Sequence, residues 1–278
     1  MHDGRGNPSV VAQKGEGCRM KNINKKKRER PEKSGRAQKG VDLKRVAVVI
    51  PVYNHEKKIA QVVREALKLR LPLYVIDDGS TDTTYDSIKE IPSITIIRHS
   101  VNRGKGAAIM TGFAAAVPSA DWIVTIDSDG QHHPENTWNL LGAVPKGERP
   151  IIVGKRERMD HCHVPWTSRF GRTFSNFWVR TCGGPKIQDS QSGFRLYPLP
   201  EAIALNVKAE RFQFEVEILV RANWQKIPVL ETPVCVTYDP KGERVSHYRG
   251  VVDFFRNAGT FSRLIFTRLF QLLFRWAK

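Results

Sequence analysis

Residues 122–132 read Trp-Ile-Val-Thr-Ile-Asp-Ser-Asp-Gly-Gln-His. The first five are apolar or β-branched and show no polar alternation, which suits a strand buried on both faces of a parallel sheet. That run ends in Asp127 and Asp129, separated by one residue, with Gln131 two positions on. Two carboxylates so spaced at the mouth of a strand can both reach one hard cation, and the amide of Gln131 can add a third oxygen. An Asp-x-Asp triplet alone is more often a solvated turn. Its neighbours decide between the two.

Outward from this stretch the same texture recurs. Val46 to Val52 is a second continuous β-branched run, and residues 56–69 place Ile59, Val62, Val63, Ala66 and Leu67 at helical spacing. A strand over Leu73 to Ile76 ends at Asp77-Asp78-Gly79-Ser80, after which Thr81 or Asp82 can cap a helix. Ile94 to Ile97 reads as a strand and Gly104 to Val117 as a helix of small residues. Beyond the opening stretch follow a strand at Ile151–Gly154, a helix from Ser168 to Arg180 and a break at Gly183-Gly184-Pro185. Asp189 to Tyr197 then runs from loop to strand, Phe214–Trp224 is helical, and Lys226–Val236 is a last strand. Strands alternating with helices imply βαβ units and an α/β fold with a mostly parallel sheet flanked by helices. Ligands in such sheets bind at the carboxyl ends of the strands. The clusters Pro51–Asn54, Asp77-Asp78 and Asp127–Asp129 are therefore expected to meet.

The net charge of +17 is unevenly placed, since residues 1–40 carry 12 Lys/Arg against 4 Asp/Glu, or +8. This segment lacks apolar periodicity and is expected to remain an unfolded basic tail. Residues 41–250 form the globular domain. No nucleic-acid motif accompanies the charge, so phosphorylated substrates or anionic lipids are the expected partners. Cys18, Cys162, Cys182 and Cys235 are scattered, which suits a reducing compartment. No apolar run is long enough to span a bilayer, and none has the form of a signal peptide. The Asp160-His161-Cys162-His163 run has no second ligand pair at zinc spacing and reads as an exposed loop.

Five motifs in order resemble the inverting GT-A glycosyltransferases of family 2, and among them the polyprenol (dolichol) phosphate sugar transferases. They are Val49-Ile50-Pro51-Val52-Tyr53-Asn54, Asp77 to Asp82, Asn102-Arg103-Gly104-Lys105-Gly106, Asp127 to His132, and Gln191-Ser192-Gly193-Phe194-Arg195. The resemblance implies a GT-A fold over residues 45 to about 250, a nucleotide-sugar donor and a divalent cation, Mg²⁺ or Mn²⁺. It places Pro51 and Tyr53 against the nucleotide and Asp78, or Asp77, on the base. Ser128 lies with the donor, Lys105 near phosphate, and Asp127, Asp129 and Gln131 around the metal.

A sugar hydroxyl acceptor needs a carboxylate base. A phosphate monoester, with a second pKa near ~6, is already ionised and needs cations instead. Arg156 and Arg158 after the fifth strand, and Arg169 and Arg172 at the start of the next helix, supply them. The resemblance points to Arg156 and Arg169 for the acceptor phosphate, with Thr173 beside them. Asp189 stays a candidate base or sugar contact, with Gln191 nearby, and the chain has no Gln-x-x-Arg-Trp run. Glu215 and Glu217 cannot share a helix face, and Glu217 matches the likeness better. Arg244, in a loop after Pro240 and Gly242, can close over phosphate.

Phe261 to Lys278 forms a basic amphipathic helix, within a terminal segment 251–278. It carries Phe261, Ile265, Phe266, Leu269, Leu272, Leu273 and Trp276 on one face, and Leu264 and Phe274 fall outside the pattern. It predicts peripheral attachment to the cytoplasmic face of a membrane, docking on a membrane-spanning partner subunit, or packing of the apolar face on the domain itself. The rival readings are a family 2 transferase acting on a glycan hydroxyl and a non-catalytic sugar-nucleotide-binding module.

Overall fold

The computed structural model describes residues 41–157, 166–237 and 250–276, with backbone alone at 166–170, 250–255, 272 and 274–276. The basic tail, Arg158, the Asp160–His163 run and the loop with Arg244 lie outside the described residues. The strands are β1 (Val46–Val52), β2 (Leu73–Asp77), β3 (Thr95–Arg98), β4 (Trp122–Thr125), β5 (Ile151–Arg156), β6 (Arg195–Pro198) and β7 (Val229–Val234). They form one sheet in the order β3-β2-β1-β4-β6-β5-β7. Neighbouring strands are parallel except β6, which runs antiparallel to both β4 and β5.

Helices α1 (Ile59–Leu67), α2 (Lys105–Ala116), α3 (Thr137–Gly142), α4 (Trp166–Thr181), α5 (Glu201–Ala204), α6 (Phe214–Trp224) and α7 (Gly250–Trp276) complete the described elements. β1 is buried at every position because both its faces are covered. Val46, Val48 and Ile50 pack with Ile59, Val62 and Val63 of α1. Ala47 and Val49 pack with Ala108, Ile109 and Phe113 of α2. Each such side chain contributes roughly 1.5–3 kcal/mol when fully buried. The small residues of α2 let it lie close to the sheet, since a Cβ at Gly112 would sit 2.5 Å from Val49 Cγ1.

The helix expected after Ser80 is instead a run of turns over residues 83–90. Asp82 does cap it, accepting from Thr84 N at 2.9 Å. Thr81 turns away, its amide held by Asn54 Oδ1 at 2.8 Å. An i→i+3 bond from Ile88 N to Tyr85 O interrupts the i→i+4 pattern of Ser87 and Lys89, so no regular helix propagates.

α7 behaves differently along its length. Phe261 and Leu264 are buried against Val179 of α4, Cys182 just after it, and Val216 and Val220 of α6, with the Trp178 ring stacked on Phe261 at 5.7 Å. Further on, Phe266, Leu269, Phe270 and Leu273 are 51–71% exposed. The apolar face read from the sequence is therefore two faces. Leu264, off that pattern, points inward, and Phe266 and Leu273 point outward. Among the described residues no helix is long and apolar enough to cross a membrane.

Candidate active site

Because β1, β2 and β4 are adjacent and parallel, their carboxyl ends open on one edge, with Val52 opposite Asp77. Pro51 is buried within β1 and Tyr53 half-buried just beyond it. Asp77 is fully buried, accepts from Ser80 N at 2.9 Å and pairs with Arg98 at 3.0 Å. Asp78, also buried, accepts from Arg103 N at 2.9 Å and Gly104 N at 2.6 Å, with His99 Nδ1 at 2.7 Å. Both carboxylates thus tie down the loops that frame the edge. Both Asp78 oxygens are engaged by the turn into α2, Oδ1 by Arg103 N and Oδ2 by Gly104 N.

The first residue of α2 carries the central contact. Lys105 Nζ lies 2.6 Å from Asp127 Oδ1 and also bonds Glu215 Oε1 of α6. Burial alone would lower its pKa, but the two carboxylates overcome this and raise it. Burial likewise opposes ionisation of Asp127, and Lys105 outweighs it, holding the carboxyl below its ordinary value. The start of α2 is packed rather than open to an anion: Ala107 N donates to Glu210 O at 2.9 Å.

Backbone closes tightly over this group. A Cβ at Gly193 would lie 2.5 Å from both Asp127 oxygens and from Lys105 Nζ. Thr125 holds that glycine in place by donating to its carbonyl at 2.7 Å. Asp129 Oδ1 accepts from Gln131 N at 3.0 Å, and the side chains of Ser128 and Gln131 are buried nearby. Next to them the His132 ring stacks on Phe194 at 5.1 Å, and burial depresses its pKa to about 4, so it is neutral. Its Nδ1 has no hydrogen-bond partner among the described residues.

Asp127, Asp129 and Gln131 present an all-oxygen donor set on one loop, and the Lys105 ammonium already sits on one of its carboxylates. Those donors fit a hard divalent cation. Among the described residues no three His, Cys, Asp or Glu side chains converge as a metal cage.

A second charged group stands at the end of β5. Arg156 grips the fully buried Asp189 with Nε to Oδ2 at 2.8 Å and Nη2 to Oδ1 at 2.7 Å. Burial would raise the Asp189 pKa, yet the guanidinium prevails and lowers it. Glu231 of β7 fixes the same loop, accepting from Gln188 N and Asp189 N at 2.9 Å. α4 is tied to it as well, through Asn176 and Ser175 bonded to residues 188 and 190.

Residues 47–198 match the family model described as glycosyl transferase family 2. The chain belongs to that family. It is 29% identical to the UDP-N-acetylglucosamine–dolichyl-phosphate N-acetylglucosaminyltransferase of Methanococcus voltae, over 70% of this chain and 86% of that one. It is 27% identical to the dolichol-phosphate mannosyltransferase of Pyrococcus furiosus, over 77% of this chain and 62% of that one. In fold it matches mannosyl-3-phosphoglycerate synthase from Rubrobacter xylanophilus at a TM-score of 0.56 and 16% identity, covering 81% and 74% of the two chains. The fold is the GT-A fold of nucleotide-diphospho-sugar transferases.

Within this family 2 glycosyltransferase, two expectations are sharpened. Glu215, not Glu217, reaches Lys105. Glu217 is fully buried on the far side of α6, where it accepts from Lys208 N and Ala209 N and pairs with Arg221 and Arg263. Spacing alone excluded a shared face, but the phase of α6 is set by packing. Asp189, a candidate base or sugar contact, is the ionic partner of Arg156. Thr173 is exposed on α4, and the Gln191 amide lies beside Gly171, 3.7 Å from where its Cβ would be. The side chain of Arg169 lies outside the described residues. Glu215 and Glu231 carried no signal beyond being acidic residues in regular elements.

Proposed function

We propose that this glycosyltransferase moves a hexose from a UDP- or GDP-linked sugar to a polyprenyl phosphate, inverting the anomeric carbon. The Arg156–Asp189 clamp is the observation that carries this reading. A hydroxyl acceptor would need a base, and Asp189 is buried, ion-paired and held below the carboxylate range, which makes it a weak one near neutrality. A phosphate nucleophile needs only positive charge and orientation, and a guanidinium fixed by a bidentate partner supplies both. Arg169 and Thr173 on α4 are proposed to complete the acceptor side, with Gln191 near it and Arg244 closing over phosphate. Both archaeal relatives are dolichyl-phosphate sugar transferases by name, which supports the same acceptor.

On the donor side, Tyr53 stacks on the base, while Asp77 and Asp78 hold the loops that receive the nucleotide. Asp127, Asp129 and Gln131 would hold Mg²⁺ or Mn²⁺, which neutralises charge on the departing diphosphate. Lys105 adds a fixed cation beside Asp127, and Ser128 lines the donor loop. The exposed half of α7 seats the enzyme peripherally on the cytoplasmic face of a membrane, presenting the cleft to its lipid.

The test is incubation with a panel of nucleotide sugars, Mg²⁺ or Mn²⁺, and either a polyprenyl phosphate or the matching free polyprenol, with products identified by mass. A glycolipid formed only from the phosphate, and lost in Asp129→Ala, is the expected result. Transfer to the free alcohol or to a glycan hydroxyl, but not to the phosphate, would overturn the reading.

A further inference from the structure

Behind the turn that leads into α2, segment 208–213 and the first half of α7 enclose an open cleft of about 340 Å³, with Glu210 and Arg211 packed on Gly104. Its charged lining is Lys208, Arg211, Arg256 and Arg263 against Glu210 alone. Its geometry is built rather than incidental. Glu217 beneath it binds the amides of Lys208 and Ala209 and the Arg263 side chain, and Gln213 bonds Asn257 across the cleft at 3.0 Å. Arg211 is in turn fixed to Asn102 at 3.0 Å.

The position of this cleft on α7 bears on its ligand. At 100° per residue, Arg256 and Arg263 lie within about 20° of each other, and Phe266 and Phe270 follow about 60° and 20° round from Arg263. Phe270 is seven residues, or about 10 Å, along the axis. The cationic cleft therefore opens directly onto the exposed apolar stripe of Phe266, Leu269, Phe270 and Leu273. A phosphate head beside an apolar track is the complement of an anionic phospholipid.

We propose that this cleft binds the headgroup phosphate of an anionic membrane lipid, as a site separate from the acceptor subsite at Arg156. It rests on the seating of α7 at a membrane. The full chain is mixed with vesicles of phosphatidylcholine alone or with phosphatidylglycerol added, and partition is measured by sedimentation. Lys208→Gln/Arg256→Gln, both at exposed positions, is compared with Lys57→Gln/Lys68→Gln, which removes the same charge elsewhere. At about 1 kcal/mol per cation near an anionic surface, the cleft variant should lose roughly tenfold or more of its preference for anionic vesicles. The distant variant should keep most of it.

Equal losses in both variants would reduce the effect to net charge and overturn the site. So would displacement of protein by inorganic phosphate with no preference for anionic vesicles, which would assign the cleft to a free anion. Absence of partition to any vesicle would overturn the seating and the site together.

Discussion

Three side chains, Lys105 on α2, Asp127 on the loop after β4 and Glu215 on α6, share one charge arrangement, and Gly193 is the residue that lets them do so. Gly193→Ala would place a methyl group 2.5 Å from Asp127 and Lys105. Transfer should fall by at least about tenfold while the melting temperature shifts by only a few degrees, because the flexible lysine end can yield but the charge geometry cannot. Asp189 makes a pH prediction. Its carboxyl is held below its ordinary value in the folded chain. The stability it adds is complete above the unfolded pKa of about 3.9 and is lost as pH falls through the lower folded value. Melting temperature should therefore drop in acid below about pH 4. Asp189→Asn should be destabilised at neutral pH, because it strands Arg156, and should show a flatter acid limb. An unchanged acid limb would contradict the pairing. Arg195, in the Gln191–Arg195 motif, shows why a motif residue need not touch substrate: it is fully buried and donates to the carbonyls of Ser190, Ser192 and Glu215 at 2.6–2.8 Å.

α6 serves two masters by phase alone. Its Glu215 side meets the catalytic edge and its Glu217 side latches α7 and segment 208–209. Removing the charge in Glu217→Gln leaves Arg221 and the partly exposed Arg263 facing a buried neutral group, a loss below the roughly 3–5 kcal/mol of a fully buried pair because solvent reaches Arg263. The expected outcome is a lowered melting temperature together with faster proteolysis across the first turns of α7, read by mass. The outer half of the same helix predicts the opposite pattern. Phe266 and Leu273 are 71% and 69% exposed, so Phe266→Ser/Leu273→Ser should leave the melting temperature unchanged while weakening vesicle partition by at least about tenfold. The helical period of residues 261–278 showed that an amphipathic helix would form. Which part of its apolar surface is consumed by Trp178, Val179 and Val216 was not written in the period.

At the scale of the whole molecule, chelation by EDTA should abolish transfer without unfolding the chain, since the sheet and its two apolar layers contain no proposed metal ligand in their interior. Circular dichroism unchanged beside lost activity, restored by Mg²⁺ or Mn²⁺, is the expected result. The strand runs, their alternation with helices and the acidic strand ends were legible from composition and spacing, because burial on both faces demands β-branched runs and parallel crossovers demand helices between them. From these alone follow the α/β class, the meeting of the β1, β2 and β4 ends and the candidate metal loop. Spacing could not tell that β6 inserts antiparallel between β4 and β5, that Asp78 is absorbed by backbone amides, or that Glu215 rather than Glu217 reaches Lys105. These depend on partners up to 110 residues apart. Local sequence sets the period of each element, but its rotation and its neighbours are chosen by packing among all of them at once.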